Sequence, residues 1–156
     1  DSMLINVRNS YGIAAYLNTG SVSGALTGHD TRTMGSISSI ASTDWTHLAI
    51  VRNSDTITLY LNGVAFDSGS YSGQDFTNQT EVIIGGGNNG TTNSLIYDLR
   101  IVKGTAVYTS TFTPPVSQLE DITGTALLAC RAGWFKDISS VGYDHRTCTQ
   151  HIQHGT

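Results

Sequence analysis

The chain has 156 residues, 13% of them charged, and a formal net charge of −4. Charge is thus about half the usual share of roughly 25%, and the eight Lys and Arg are scattered from Arg8 to Arg146, which speaks against the clustered basic face of a nucleic-acid binder. Gly (17), Ser (17) and Thr (21) dominate while Glu and Met number two each, a balance that favours pleated strands and turns over helices.

A polypeptide of this length fits one domain with a sizeable core. No apolar run approaches 18 residues, so no transmembrane helix is expected, and no secretory leader is visible. The sequence opens at Asp1, as expected of a piece of a longer polypeptide or of a cleaved one. A surface of Ser, Thr, Asn and Gly suits either a subunit packed into a large assembly or a turn-rich β domain.

Short strands recur along the sequence, with turn residues between them. Met3 to Arg8 alternates, Asn9-Ser10 makes a turn, and Tyr11 to Leu17 returns. Ser21 to Ser36 is polar and Gly-rich and reads as a long loop or a weak strand. Ile37 to Ala41 is a short apolar strand. Asp44 to Arg52 is the clearest core strand, apolar on both faces and therefore covered on both sides. Asn53-Ser54-Asp55 turns into Thr56 to Leu61, where Ile57, Leu59 and Leu61 share one face. Asn62-Gly63 is a strong two-residue hairpin signal, because both positions tolerate φ > 0, and Val64 to Phe66 starts the return. A polar loop covers Asp67 to Thr80. Glu81 to Gly85 is a buried strand, Gly85 to Asn93 a loop, Leu95 to Val102 a long strand, and Ala126 to Cys130 a last strand. Pro114-Pro115 fixes an extended segment between the last two. No helix longer than a turn is expected. The predicted core comprises Trp45, Leu48, Ile50, Ile57, Leu59, Leu61, Ile83, Tyr97, Leu99 and Ile101. Eight to ten short strands without helices predict an all-β sandwich or jelly roll.

Two stretches carry a family resemblance. Trp45-Thr46-His47-Leu48-Ala49-Ile50-Val51-Arg52 followed by Thr56-Ile57-Thr58-Leu59-Tyr60-Leu61-Asn62-Gly63 resembles the hairpin of laminin-G-like domains, members of the concanavalin A-like lectin and glucanase superfamily. Ile84-Gly85 through Asp98-Leu99-Arg100-Ile101 is similar to a later strand of that family. Lys103-Gly104, Val107-Tyr108-Thr109, Phe112-Thr113-Pro114-Pro115, Ala126 to Cys130 and Phe135-Lys136-Asp137 resemble a narrower group associated with virion and tail proteins of tailed bacteriophages and with related bacterial surface proteins. The resemblance spans roughly residues 3 to 142 and leaves 143–156 as a tail or final edge strand. It implies an antiparallel concanavalin A-like jelly roll that lacks the family's N-terminal strands. Those missing strands predict cover from a partner subunit or from another part of the same polypeptide. The alternative is that Ser21 to Ser36 folds back over the gap.

Each chemical candidate is weighed against a plainer role. A glycosidase needs two carboxylates flanking the scissile bond, whereas Glu81 and Glu120 are far apart and Asp98 has no partner carboxylate on its strand. No catalytic residues are assigned and no enzyme activity is expected. His47 beside Trp45 reads as a satisfied structural histidine. His145, Cys148, His151 and His154 recur every three residues, which on a helix could hold a metal, but their Gln/Thr-rich segment without caps reads better as a tail. Cys130 and Cys148 define no metal or redox motif; two reduced thiols are favoured over a bridge. No cofactor is assigned. The family resemblance makes calcium a weak candidate, with Asp30, Asp67 and Asp75 on loops as donors, although their spacing does not single them out. Glycan contact would use aromatics and loop amides, with Tyr71, Asn88, Asn89, Tyr108 and Trp134 as the candidate ligand-binding set. Tyr11 and Tyr16 are further aromatics of the same kind. The glycines of the 85–93 loop allow close backbone approach.

These readings favour a non-enzymatic structural or adhesion module of a phage virion or similar surface assembly. It would act by protein–protein packing, as a homo-oligomer and with other assembly subunits, with glycan contact on the host surface. The alternative is a stand-alone carbohydrate-binding lectin or adhesin. The expected location is a virion or extracellular surface, without nucleic-acid binding or membrane insertion.

Overall fold

A computed structural model describes residues 2–8, 12–18, 21–27, 32–38, 44–73, 81–87, 90–91 and 95–131. The protein divides into two compact units, Asp1–Leu95 with Ala106–Pro114, and Ile96–Thr105 with Pro115–Thr156. Among the described residues there is no helix, and all strand pairs are antiparallel. The fold class is the all-β antiparallel sandwich that the strand and turn periodicity predicts.

The first unit begins with β1 (Ser2–Arg8), β2 (Gly12–Asn18), β3 (Ser21–Thr27) and β4 (Arg32–Ser38) as successive hairpins. They are followed by β5 (Leu48–Asn53), β6 (Thr56–Leu61), β7 (Val64–Ser70) and β8 (Glu81–Ile84), and then by the two-residue strands β9 (Gly86–Gly87) and β10 (Gly90–Thr91). The larger sheet has the order β4-β3-β2-β1-β8, the smaller β5-β6-β7, and β9 and β10 form a separate ribbon. The second unit contains β11 (Leu99–Val102) paired with β12 (Thr125–Ala129).

Several boundaries differ from the sequence reading. The polar stretch from Ser21 folds into β3 and β4. Ser and Thr can fill a pleated surface even where apolar periodicity is lacking. β1 is an inner strand of its sheet, hydrogen-bonded to β2 on one side and β8 on the other. β7 runs to Ser70 rather than stopping at Phe66. The loop after Ile84 carries β9 and β10. Residues 95–97 lie outside β11, which starts only at Leu99.

The core of the first unit is built on β6. Ile57 and Leu59 are fully buried, and with Tyr71 they form a cluster against which Ile50 and Phe66 pack. The β6–β7 register shifts between Leu59, opposite Asp67, and Tyr60, opposite Ala65, so Phe66 is the extra residue of a bulge. Leu59 and Tyr60 are neighbours and both are buried, so β6, rather than the 44–52 strand, is covered on both faces. In the second unit Leu127, Leu128 and Ala129 are buried, with Thr125.

The predicted core is only partly internal. Leu48, Ile50, Leu61, Ile83, Leu99 and Ile101 are half-buried. Trp45 is 69% and Tyr97 51% exposed. Period-2 spacing identifies side chains that share a face, but burial requires a second layer over that face, and Trp45 and Tyr97 lie just outside the paired strands.

Truncating Ile57 to Ala should therefore lower unfolding free energy by about 2–4 kcal/mol, whereas Val64→Ala, at a 57% exposed position, should stay within about 0.5 kcal/mol. Denaturant titration checks both; equal losses would show that β6 is not the centre of the core.

Candidate functional site

One end of the smaller sheet is built around the Asn62–Gly63 turn. Asn62 and Gly63 have φ of 48° and 81°, the left-handed pair that the two-residue hairpin requires. The Asn62 N–H donates to the His47 carbonyl at 2.8 Å, and the His47 N–H donates to Asn62 Oδ1 at 2.9 Å. These two bonds continue the β5–β6 pairing one residue beyond Leu48 and Leu61 and tie residue 47 to the turn.

The segment 106–114 lies over this turn. The Phe112 N–H donates to the Gly63 carbonyl at 3.0 Å. A Cβ built on Gly63 would overlap the Phe112 carbonyl oxygen. Glycine is thus required twice at position 63, once for its φ and once for the approach of another backbone.

The contact places four rings together. Phe112 stacks on Tyr108 with centroids 3.6 Å apart and planes 5° apart. His47 meets Phe112 edge-on at 5.5 Å and Tyr108 at 6.1 Å. Tyr60 lies 5.5 Å from Phe112 at a tilt of 59°. The edge-to-face contacts of His47 are of the kind that adds to the area they bury, while Phe112 and Tyr108 lie nearly face to face. The Tyr60 contact explains why that side chain is buried although it alternates with Ile57 and Leu59. Trp45, Val64 and Val107 are exposed; Val64 follows Gly63, Val107 precedes Tyr108, and Trp45 stands two residues before His47.

In the second unit, Asp98 organises a strap. Its φ is 59°, and that of Cys130 is 62°; the Asp98 N–H donates to the Cys130 carbonyl at 2.9 Å, just beyond the Leu99–Ala129 pair. One carboxylate oxygen accepts from the Leu119 N–H at 2.6 Å and the other from Arg131 Nε at 3.0 Å. The Asp98–Arg131 ion pair is largely sheltered, with side-chain exposures of 12% for Asp98 and 17% for Arg131. Gln118 donates to the Tyr97 hydroxyl at 2.8 Å, and Arg100 Nη1 to the Glu120 carbonyl at 2.9 Å. Residues 118–120 therefore run alongside 97–100, held by side chains rather than by a backbone ladder.

The sequence-predicted candidates fare unequally. Tyr71 is only 7% exposed, its N–H donates to the Asp55 carbonyl, and its ring covers Gly69, where an added Cβ would be 2.9 Å away. It packs in the core cluster with Ile57 and Leu59. Tyr108 is half-buried in the aromatic stack. Asp67 lies within β7 rather than on a loop, and its Oδ1 accepts from the Ser68 N–H at 2.7 Å. Asn88, Asn89, Trp134, Asp30, Asp75, Tyr11, Cys148 and the histidines at 145, 151 and 154 lie outside the described residues, as does the side chain of Tyr16. Among the described residues no group of three His, Cys, Asp or Glu side chains could hold a metal. Sequence reading missed Phe112 and Asp98 as organisers. The signal for Asp98 was a lone acid before an apolar strand, which needs a partner when sheltered.

A laminin G model of the concanavalin A-like lectin/glucanases superfamily matches residues 2–109. That is well over half of the sequence, and the chain belongs to this family. No curated protein and no solved structure matches it. The superfamily includes both lectin-type and glucanase members, as its name states.

Asp98→Ala should cost about 2–3 kcal/mol, since it leaves the Leu119 amide and Arg131 without their charged acceptor. Arg131→Ala should cost less, and the double variant less than the sum of the two. A double-mutant cycle by denaturant unfolding measures this; strict additivity would show that the ion pair is not coupled.

Proposed function

We propose that this protein is a non-enzymatic structural and adhesion module of a phage virion or similar surface assembly. It works by packing against copies of itself and other assembly subunits, and it contacts glycans of a host surface. Membership of a lectin-type superfamily supports a binding role. The single observation that carries the reading is the exposure of the large apolar side chains of Trp45, Val64 and Val107, which stand one or two residues from His47, Gly63 and Tyr108 of the turn and aromatic stack. Large exposed apolar side chains that gather on one surface mark interaction sites, and aromatics fixed by their neighbours lose little freedom on binding. The sparse charge of the sequence lowers the desolvation cost of such packing.

The carboxylates fit this reading. Asp98 is committed to Leu119 and Arg131, which makes it a structural acid rather than one of a hydrolytic pair. In this reading the protein works in a virion or at an extracellular surface and uses no cofactor.

The test is association of the purified protein, measured by light scattering and by retention on immobilised host-surface glycans, alongside a Trp45→Ala variant. The expected result is self-association or glycan retention that falls at least about tenfold in the variant, as loss of an interface anchor worth more than ~1.4 kcal/mol would give, with unchanged thermal stability. A dispersed monomer that is not retained on glycans would contradict the proposal. Retention by a monomer would favour the stand-alone lectin reading. Steady release of reducing sugar from β-glucan would refute the non-enzymatic assignment.

A further inference from the structure

We propose that Asn62–Gly63 is a latent modification site, an intramolecular deamidation centre that the native turn holds unreactive and that unfolding releases. The chemistry needs no partner beyond water. The backbone nitrogen of Gly63 attacks Cγ of Asn62. A bond forms between them, the bond from Cγ to the amide nitrogen Nδ2 breaks, and ammonia leaves with the proton that Gly63 gave up. The product is a five-membered succinimide. Water opens it at either carbonyl, giving aspartate or isoaspartate at position 62. A following glycine is the most permissive neighbour, because no side chain obstructs the attacking nitrogen.

Three observations show how the fold restrains this reaction. First, ring closure requires rotation about the Asn62 Cα–Cβ and Cα–C bonds to bring Cγ over the Gly63 nitrogen, whereas the closed two-residue turn, with φ of 48° and 81°, holds the peptide joining the two residues in place. Second, the Asn62 side chain is held: Oδ1 accepts from the His47 N–H at 2.9 Å, and the Asn62 N–H is bonded to the His47 carbonyl at 2.8 Å. Third, Gly63 cannot swing to meet the attack. It is buried, its carbonyl accepts from the Phe112 N–H, and the Phe112 carbonyl occupies the space beside its Cα. Reaction therefore proceeds only through an opened turn, at a rate set by the population of that opened state.

The consequence is a covalent record of unfolding. Isoaspartate inserts an additional methylene into the backbone of a turn that must hold two residues in register. A molecule that carries isoaspartate at position 62 cannot rebuild the contacts of residue 63 with Phe112, whereas one that carries aspartate keeps the native backbone.

The experiment incubates the full-length protein at mildly alkaline pH, native in one arm and unfolded in guanidinium chloride in the other. Asn62 conversion is followed by peptide mass spectrometry with isoaspartate detection. The second Asn-Gly pair of the sequence, Asn89–Gly90, provides the reference rate in the unfolded arm. Unfolded, both pairs should react at similar rates; native, Asn62 should react at least about tenfold more slowly, each tenfold reflecting ~1.4 kcal/mol of opening free energy. Equal native and unfolded rates at Asn62 would overturn the proposal. A second readout refolds the aged sample and compares soluble, folded molecules with those that fail: isoaspartate at 62 should be depleted from the folded fraction, and equal content in both fractions would equally count against it. A Phe112→Ala variant that folds should bring the native rate towards the unfolded one.

Discussion

The Phe112 carbonyl occupies the position at which any residue but glycine at 63 would carry its side chain. That single close approach constrains the described part of the first unit. It requires a hairpin turn with left-handed residues, which in turn fixes β6 against β7. It brings residues 106–114 down over Tyr60, so that β6 is covered on the face opposite Ile57 and Leu59. It also sets Phe112 and Tyr108 beside His47, which the turn residue Asn62 already brackets through two hydrogen bonds. Backbone complementarity at one glycine thus becomes an ordered group of four aromatic rings.

Trp45, Val64 and Val107 stay exposed beside this ordered stretch of sequence. The second unit solves a different problem by different means. Asp98 carries a left-handed backbone and a sheltered charge, and it satisfies that charge with Arg131 and the Leu119 amide. Val116, two residues before the strap, is fully exposed.

What was legible in the sequence was local chemistry. Asn62-Gly63 announced its turn because few other residues take positive φ. The β5–β6 hairpin announced itself through alternating apolar residues and through its resemblance to laminin-G-like domains, which the family match bears out. What was not legible depended on residues distant in sequence. Nothing in Thr58-Leu59-Tyr60-Leu61 indicates that Phe112, some fifty positions later, will bury Tyr60. Tyr71, alone among Ser and Gly, looks like a surface aromatic until Gly69 is seen to make room for its ring. β3 and β4 read only as a loop or a weak strand because Ser, Thr and Gly carry little apolar periodicity, and the pairing of β3 with β2 and of β4 with β3 is decided by neighbours rather than by their own composition. Trp45 was misjudged in the opposite sense, since a strand pattern cannot say whether a covering layer exists.

The Asn62–Gly63 turn and the segment bearing Phe112 form one cooperative unit, and the rest of the site stands on that coupling. Native-state hydrogen exchange resolved at the amides of His47, Asn62 and Phe112 tests it most directly. All three should open together, with matching protection and matching denaturant dependence. A Phe112 amide that exchanges freely while Asn62 stays protected would contradict it, because the turn would then stand without the segment said to complete it.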